Sequence, residues 1–335
     1  MQKKIIALAI AAAFSAPAFA DSTVYGIVDA ALVNTAKTNM KSDGAVISGG
    51  LGGSRIGVVS AEDIDGGMKV IAKIEYKLDV ANSAGVGDAR QEMLALAGGF
   101  GTVAAGYLQT TGYDFMGKFN PVAGAAVDAL GAVNPSYLGL ISSSSRAQQA
   151  AAYISPDMSG LTIAVNHTFN AVGTAMVASG ATTGNKTTAT LMSATYAAGP
   201  LAVGAVYEAT ANDDTVFSKN TQVAFGGSYD LGVAKILATY NTTKMDATGD
   251  AGNTDSAFSL SAVAPVGPGA VVGSFAKNNI KTTTADDNST AFTVAYLQGL
   301  SKTVTAYGAL ERITKKGTPD DITTTVLALG LKKVF

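Results

Sequence analysis

From Met68 to Asp79 the chain alternates strictly, with Met68, Val70, Ala72, Ile74, Tyr76 and Leu78 on one parity and Lys69, Ile71, Lys73, Glu75, Lys77 and Asp79 on the other. Successive side chains of an extended backbone point to opposite sides, so this stretch predicts a strand with one apolar and one largely ionic face. The same period of two recurs at Phe292, Val294 and Tyr296, and again at Leu327, Leu329 and Leu331. Turn signals punctuate it: Asp65-Gly66-Gly67, Phe100-Gly101-Thr102, Ser155-Pro156-Asp157, Ala198-Gly199-Pro200 and Val266-Gly267-Pro268-Gly269. Sixteen strand segments are predicted, at about 22–34, 53–61, 68–80, 88–98, 102–109, 147–155, 161–170, 187–198, 201–211, 219–230, 233–244, 254–264, 269–280, 288–298, 302–312 and 322–335.

Short turns alternate with long stretches rich in Asn, Asp, Gly, Thr and Ser, such as 170–187 and 243–254. An even number of strands joined this way fits a closed up-and-down antiparallel barrel. In a bilayer the usual sense of such strands inverts. The apolar face meets lipid, the polar face lines a lumen, and closure leaves no backbone group unpaired in hydrocarbon. Lys73, Glu75 and Lys77 are then lumen-facing. The longest unpatterned stretch, Thr110 to Ser145, is too long for an ordinary connection and marks a functional loop.

Composition sharpens this picture. Charged residues make up 14% of the chain, well below the ~25% of ordinary soluble domains, yet no run of 18 apolar residues follows residue 20, which excludes a helical membrane protein. Residues 1–20 predict an export signal: Lys3 and Lys4, an apolar run from Ile5 to Phe14, then Ala18-Phe19-Ala20 as a cleavage site. The barrel is therefore expected over 21–335. The absence of cysteine rules out disulfides and cysteine-based metal or redox centres, and a net charge of −2 offers no footprint for nucleic acid. No cofactor is expected.

Candidate chemistry is sparse. The one histidine, His167, shares parity with Ile163, Val165 and Phe169, so it is expected on the lipid face, with Asn166 and Thr168 turned away from it. A catalytic base needs a nucleophile or carboxylate on a common surface, so no enzyme activity is expected. The acidic pairs Asp213-Asp214, Asp286-Asp287 and Asp320-Asp321 read as solvated loop tips rather than metal sites. Tyr25, Tyr107, Tyr153, Phe169, Tyr207 and Tyr240 fall near predicted strand ends, as an interfacial aromatic girdle requires.

The chain also resembles a known family, the trimeric Gram-negative porins of Neisseria and beta-proteobacteria. The resemblance rests on Ser22-Thr23-Val24-Tyr25-Gly26-Ile27-Val28-Asp29, Gly53-Ser54-Arg55-Ile56-Gly57 with Glu62-Asp63, Arg90-Gln91, Phe100-Gly101-Thr102-Val103, Tyr153-Ile154-Ser155-Pro156, and Ala328-Leu329-Gly330-Leu331 through Phe335. It implies a sixteen-stranded transmembrane β-barrel, a homotrimer in outer-membrane lipid and lipopolysaccharide, and passive diffusion of small hydrophilic solutes and ions. It further implies that Phe335 is read by the barrel assembly machinery, and that the third extracellular loop, 110–145, folds inward as a constriction. Gly106-Tyr107 stands where the family more often has Gly-Arg.

Three of the four arginines, Arg55, Arg90 and Arg146, fall where the family carries a basic ladder at the constriction. Alternation with Ile56 and Val58 points Arg55 into the lumen, whereas Arg90 shares parity with outward Leu94 and Leu96. Either a bulge turns Arg90 inward or it sits beyond the membrane. The loop offers Asp114, Lys118 and Asp128 opposite them, so four positive and two negative groups predict a weak anion preference. A solute-specific channel and a non-conducting surface adhesin built on the same barrel are the alternative readings.

Overall fold

The computed structural model describes residues 21–82, 85–134, 145–170, 187–212, 217–247, 254–281, 288–317 and 320–335. The predicted export signal at 1–20, the loop segment 135–144 and the pairs Asp213-Asp214 and Asp286-Asp287 lie outside the described residues.

Seventeen strand segments form one sheet. They are β1 (Asp21–Lys37), β2 (Asp43–Ser48), β3 (Arg55–Ile64), β4 (Met68–Leu78), β5 (Val86–Gly98), β6 (Gly101–Gln109), β7 (Arg146–Ile154) and β8 (Leu161–Thr168). Then follow β9 (Thr187–Ala198), β10 (Leu201–Asn212), β11 (Phe217–Asp230), β12 (Lys235–Ala247), β13 (Thr254–Val266), β14 (Gly269–Asn279), β15 (Ser289–Gly299), β16 (Val304–Lys315) and β17 (Ile322–Val334). Consecutive strands pair antiparallel except β2 with β3, and β1 pairs with β17 from Ile27↔Val334 to Lys37↔Thr324, so the sheet closes. The barrel nevertheless has sixteen staves. β2 pairs with the far half of β1 and β3 with its near half, so the two are one stave interrupted at residues 49–54. The segment 43–48 was not predicted as strand. The cause of the break is local: Gly49 takes φ +89, and Asp29 gathers the excursion by accepting hydrogen bonds from Leu51 N (2.9 Å) and Gly52 N (2.8 Å).

The side chains confirm the inverted sense. Leu94 (59% exposed), Phe225, Leu329 and Leu331 stand on the outer surface, while alternate positions such as Glu75, Thr293 and Glu311 are buried inside. A barrel filled by its own core would show the reverse arrangement. Phe335 lies over Gly26 on the outer side, and the two exchange backbone hydrogen bonds of 2.9 and 3.1 Å that complete the seam.

The connection after β6 carries two helices, α1 (Thr111–Phe119) and α2 (Ala129–Val133). Thr110 caps α1 through its side chain to Tyr113 N, and Asp128 caps α2 through Gly131 N. Phe115, Met116, Phe119, Leu130 and Val133 pack against Ala189, Leu191, Val206, Ala224, Ala257, Ala276 and Ala291 on the inner faces of β9–β15. The small residues explain how: a row of alanines leaves about a helix's width of room inside the wall. Gly226 is the extreme case, since a Cβ there would collide with the Phe119 ring. Full burial of each large side chain favours docking by ~1.5–3 kcal/mol, enough to offset the ordering of a short loop. Three further ties hold the segment: Thr293 Oγ1 donates to Val127 O (2.9 Å), Asn278 Nδ2 to Val133 O (2.6 Å), and Ala126 N to Gly50 O (2.8 Å).

Candidate functional site

With β9–β15 holding the helices, a cluster of charged side chains occupies the inner faces of β3, β4, β5 and β7. Glu75 is their centre. It is 3% exposed and accepts from Arg90 Nε at 2.7 Å and Tyr25 OH at 2.8 Å, with Arg55 Nε at 3.5 Å. Lys73 lies above the Tyr25 ring with Nζ 5.6 Å from its centroid, and Lys77 stands opposite Arg55 in the β3–β4 register.

Arg90 reaches Glu75 by an irregularity. Glu75 pairs with Gln91 and the next residue, Tyr76, with Ala89, so Arg90 is the extra residue of a bulge and turns inward while Leu94 stays outward. Arg146, at the start of β7, donates from Nε to Arg90 O (2.8 Å) and stacks on Tyr113 of α1, 4.6 Å from the ring centroid. Asp114 accepts from Gln109 Nε2, and the exposed Lys118 reaches Thr195 Oγ1 at 3.4 Å.

Asp128 stands apart from this group. It is 5% exposed, and its carboxylate accepts from Asn120 Nδ2 (2.8 Å), Gly124 N (2.8 Å) and Gly131 N (3.2 Å). The residue that pattern reading set opposite the arginines holds the loop's own turns instead. Neither does Tyr25 belong to an outer girdle, for its hydroxyl points into the lumen at Glu75. The signal was present: Tyr25, Ile27 and Asp29 share one parity, opposite the exposed Val24. Asp29 was also missed as more than a motif residue. Fully buried, it accepts from Tyr307 OH (2.5 Å) as well as from the 49–54 excursion. His167 contacts Thr190 Oγ1 (2.8 Å) and the exposed Phe169 ring, while Asn166 and Thr168 are buried on the other side.

Gly57 makes the Tyr25–Glu75 contact possible, because a Cβ at that position would fall on the Tyr25 ring and hydroxyl. Gly57→Val is expected to displace Tyr25 and lower stability by about 1–3 kcal/mol, through crowding and the lost hydrogen bond. Heat-unfolding midpoints of the folded barrel measure this; an unchanged midpoint with intact packing would count against the assigned role of Gly57.

The described wall and loop therefore set Arg55, Arg90, Arg146, Lys73, Lys77 and Lys118 against Glu75 and Asp114, a local excess of positive charge on the lumenal side, while the acids Asp29, Glu208 and Glu311 lie buried elsewhere on the inner face. Such a surface attracts and orients ions and dipolar solutes. Among the described residues no group of three or more His, Asp or Glu side chains is placed to hold a metal.

Comparison with known proteins bears on what this wall serves. The sequence profile of the Gram-negative porin family matches residues 7–318. The major outer membrane protein P.IB of Neisseria meningitidis serogroup B is 32% identical over 178 residues, covering 51% of this chain and 50% of that protein. The P.IB protein of Neisseria lactamica is 37% identical over 116 residues, 33% of this chain and 34% of that one. The chain thus spans about half the length, or less, of the curated relatives it matches. Among solved structures, the anion-selective porin from Comamonas acidovorans superposes with a TM-score of 0.79 at 21% identity, over 95% of this chain and all of that one. The trimer form of OmpT from Vibrio cholerae gives 0.70 at 16%, over 95% and 100%. At these identities the structures speak to the fold.

Proposed function

The chain belongs to the Gram-negative porin family and resides in the outer membrane, and on that premise we propose that it forms a water-filled channel for passive diffusion of small hydrophilic solutes and ions, with a weak preference for anions. The observation that carries this reading is the inverted barrel, whose inner wall holds Arg55, Arg90 and Arg146 around Glu75 while the segment 110–134 packs inside against β8–β16.

Magnitude limits the preference. Unit charges ~4 Å apart interact by ~1 kcal/mol in bulk water and by ~4 kcal/mol at an effective dielectric of 20, and salt near physiological strength confines them to ~8 Å. A wet pore biases ions several-fold and excludes neither sign. In planar bilayers, reversal potentials under a potassium chloride gradient are expected to favour chloride modestly. A clear potassium preference would overturn the charge reading, and silence at all voltages would overturn the channel itself.

The unit of assembly in this reading is a homotrimer. Glu92 stands exposed on the outer face of β5, where Tyr76 OH donates to it at 2.6 Å. Ionisable side chains on a lipid-facing strand cost up to a few kcal/mol near the bilayer centre, so this sector is better served by a neighbouring subunit than by acyl chains. Phe335, exposed at the end of the closing strand, suits recognition by the barrel assembly machinery.

A further inference from the structure

The stave made of β2 and β3 leaves the wall and returns to it beside a single residue. Ser48 Oγ donates to Leu78 O at 3.1 Å and Leu78 N donates to Ser54 O at 2.9 Å, so Gly49, Gly50, Leu51, Gly52 and Gly53 stand off the sheet between them. They stand off inward. Asp29, fully buried, accepts from Leu51 N at 2.9 Å, Gly52 N at 2.8 Å and Tyr307 OH at 2.5 Å, and its backbone oxygen takes Gly49 N at 2.8 Å. The side chains nearest Gly50, Gly52 and Gly53 are Tyr307, Ala31, Lys332 and Arg90, all on the inner side of the wall.

This excursion joins the inward segment to the charged wall. On one side Ala126 N donates to Gly50 O at 2.8 Å, in the stretch whose Val122 and Val127 pack on β14–β17. On the other, Arg55 Nη1 donates to Gly53 O at 3.2 Å. Two glycines set the spacing: a Cβ at Gly50 would collide with the Tyr307 hydroxyl and Ala31, and one at Gly53 would lie 3.3 Å from Arg90 Nη1. At Gly52 a Cβ would meet only Lys332 Nζ, 3.9 Å away, which leaves room for a side chain there. The strip is thus almost bare backbone, anchored from behind and bordered by Arg55, Arg90 and Lys332. It narrows the lumen without covering those cations, and an ion passing Gly52 comes within the ~8 Å over which charges act in physiological salt.

We propose that residues 49–54, anchored by Asp29, form a second constriction element, in which the absence of side chains at Gly52 and Gly53 sets how closely a passing anion approaches Arg55, Arg90 and Lys332. The assignment rests on the channel reading above. It adds a residue set from the wall itself to the part played by the segment 110–134.

The test exploits the lack of native cysteine. Leu51→Cys and Gly52→Cys barrels are labelled in detergent with methanethiosulfonate reagents carrying either a trimethylammonium or a sulfonate group, completion is checked by mass, and reversal potentials are read in planar bilayers. Wild type is inert to both reagents. In the cysteine variants the cationic label is expected to raise the chloride-to-potassium permeability ratio about twofold and the anionic label to lower it about twofold, the weight of one unit charge within a screening length, with smaller conductance steps in both cases. In the Gly52→Cys background Asp29→Asn keeps these shifts, because its amide oxygen accepts the two backbone N–H groups while its NH2 donates to Tyr307 Oη. Asp29→Leu, or the milder Tyr307→Phe if the leucine barrel does not reach its folded mobility, reduces them. Completed labelling at both positions with unchanged reversal potentials and steps would overturn the constriction role, and undiminished shifts in Asp29→Leu or Tyr307→Phe would overturn the anchor. Unlabelled wild type that passes no current brings down the channel reading and this one with it, whereas normal steps that ignore the label bring down this one alone.

Discussion

Truncating Phe115 and Phe119 together to alanine is expected to free α1 from the inner wall and to give larger, noisier single-channel steps in planar bilayers. The two rings pack 5.2 Å apart, centroid to centroid, and both are buried against the alanine row of β9–β15. Removing a buried phenylalanine side chain costs about 3–5 kcal/mol, and a helix of nine residues has little stability of its own to set against that loss. Barrel closure does not depend on these rings, because β1 and β17 hold the seam through their own ladder. The variant is therefore expected to keep its folded mobility on gels and its heat resistance while its conductance changes. Unchanged conductance with α1 released would show that the segment 110–134 does not limit the pore.

Replacing Glu75 by glutamine is expected to shift selectivity further toward anions and to destabilise the barrel. Glu75 accepts hydrogen bonds from Arg90 and Tyr25 and is ion-paired with Arg55, with Lys73 and Lys77 on the same face of its strand. Loss of its charge leaves the cations uncompensated. The guanidinium groups keep part of their exposure to lumenal water, so the penalty is about 1–3 kcal/mol rather than that of a fully buried pair. The reciprocal change, Arg55→Gln with Arg90→Gln, is expected to remove the anion preference or invert it, because Glu75 and Asp114 then weigh more heavily on the field. Reversal potentials in the same salt gradient measure both, at low ionic strength first, where screening is weakest. Matching reversal potentials for wild type and Glu75→Gln would place the selectivity elsewhere in the lumen.

Much of the architecture was legible because lipid imposes a rule that sequence cannot hide. Every spanning strand must be apolar on one parity, so Met68–Leu78 and Ile322–Val334 declared themselves, and the placement of Leu94, Leu327 and Leu329 followed from counting by two. Where the count of two breaks, the reading broke with it. Arg90 shares parity with outward Leu94, which left a bulge or a place beyond the membrane as readings, and the register opposite Glu75–Tyr76 has the bulge; β2 went unseen because the glycines at 49, 50, 52 and 53 cut its stave in half. Bulges and breaks depend on which backbone hydrogen bonds the neighbouring strand leaves open, and that is a property of the pair.

The amino-acid sequence by itself determined the inside-out barrel, its sixteen staves, and the inward face of Arg55, Lys73, Glu75 and Lys77, since alternation and hydrocarbon solvation are local. Only the tertiary structure decided which charges meet. Tyr25 and Glu75 lie 50 residues apart and meet across Gly57 of β3, which pairs with both of their strands, while Asp29 and Tyr307, 278 apart, meet only because the ring closes between β1 and β17. It likewise turned Asp128 from a pore charge into a cap, because a carboxylate beside a new helix end finds backbone N–H groups closer than any arginine across the lumen.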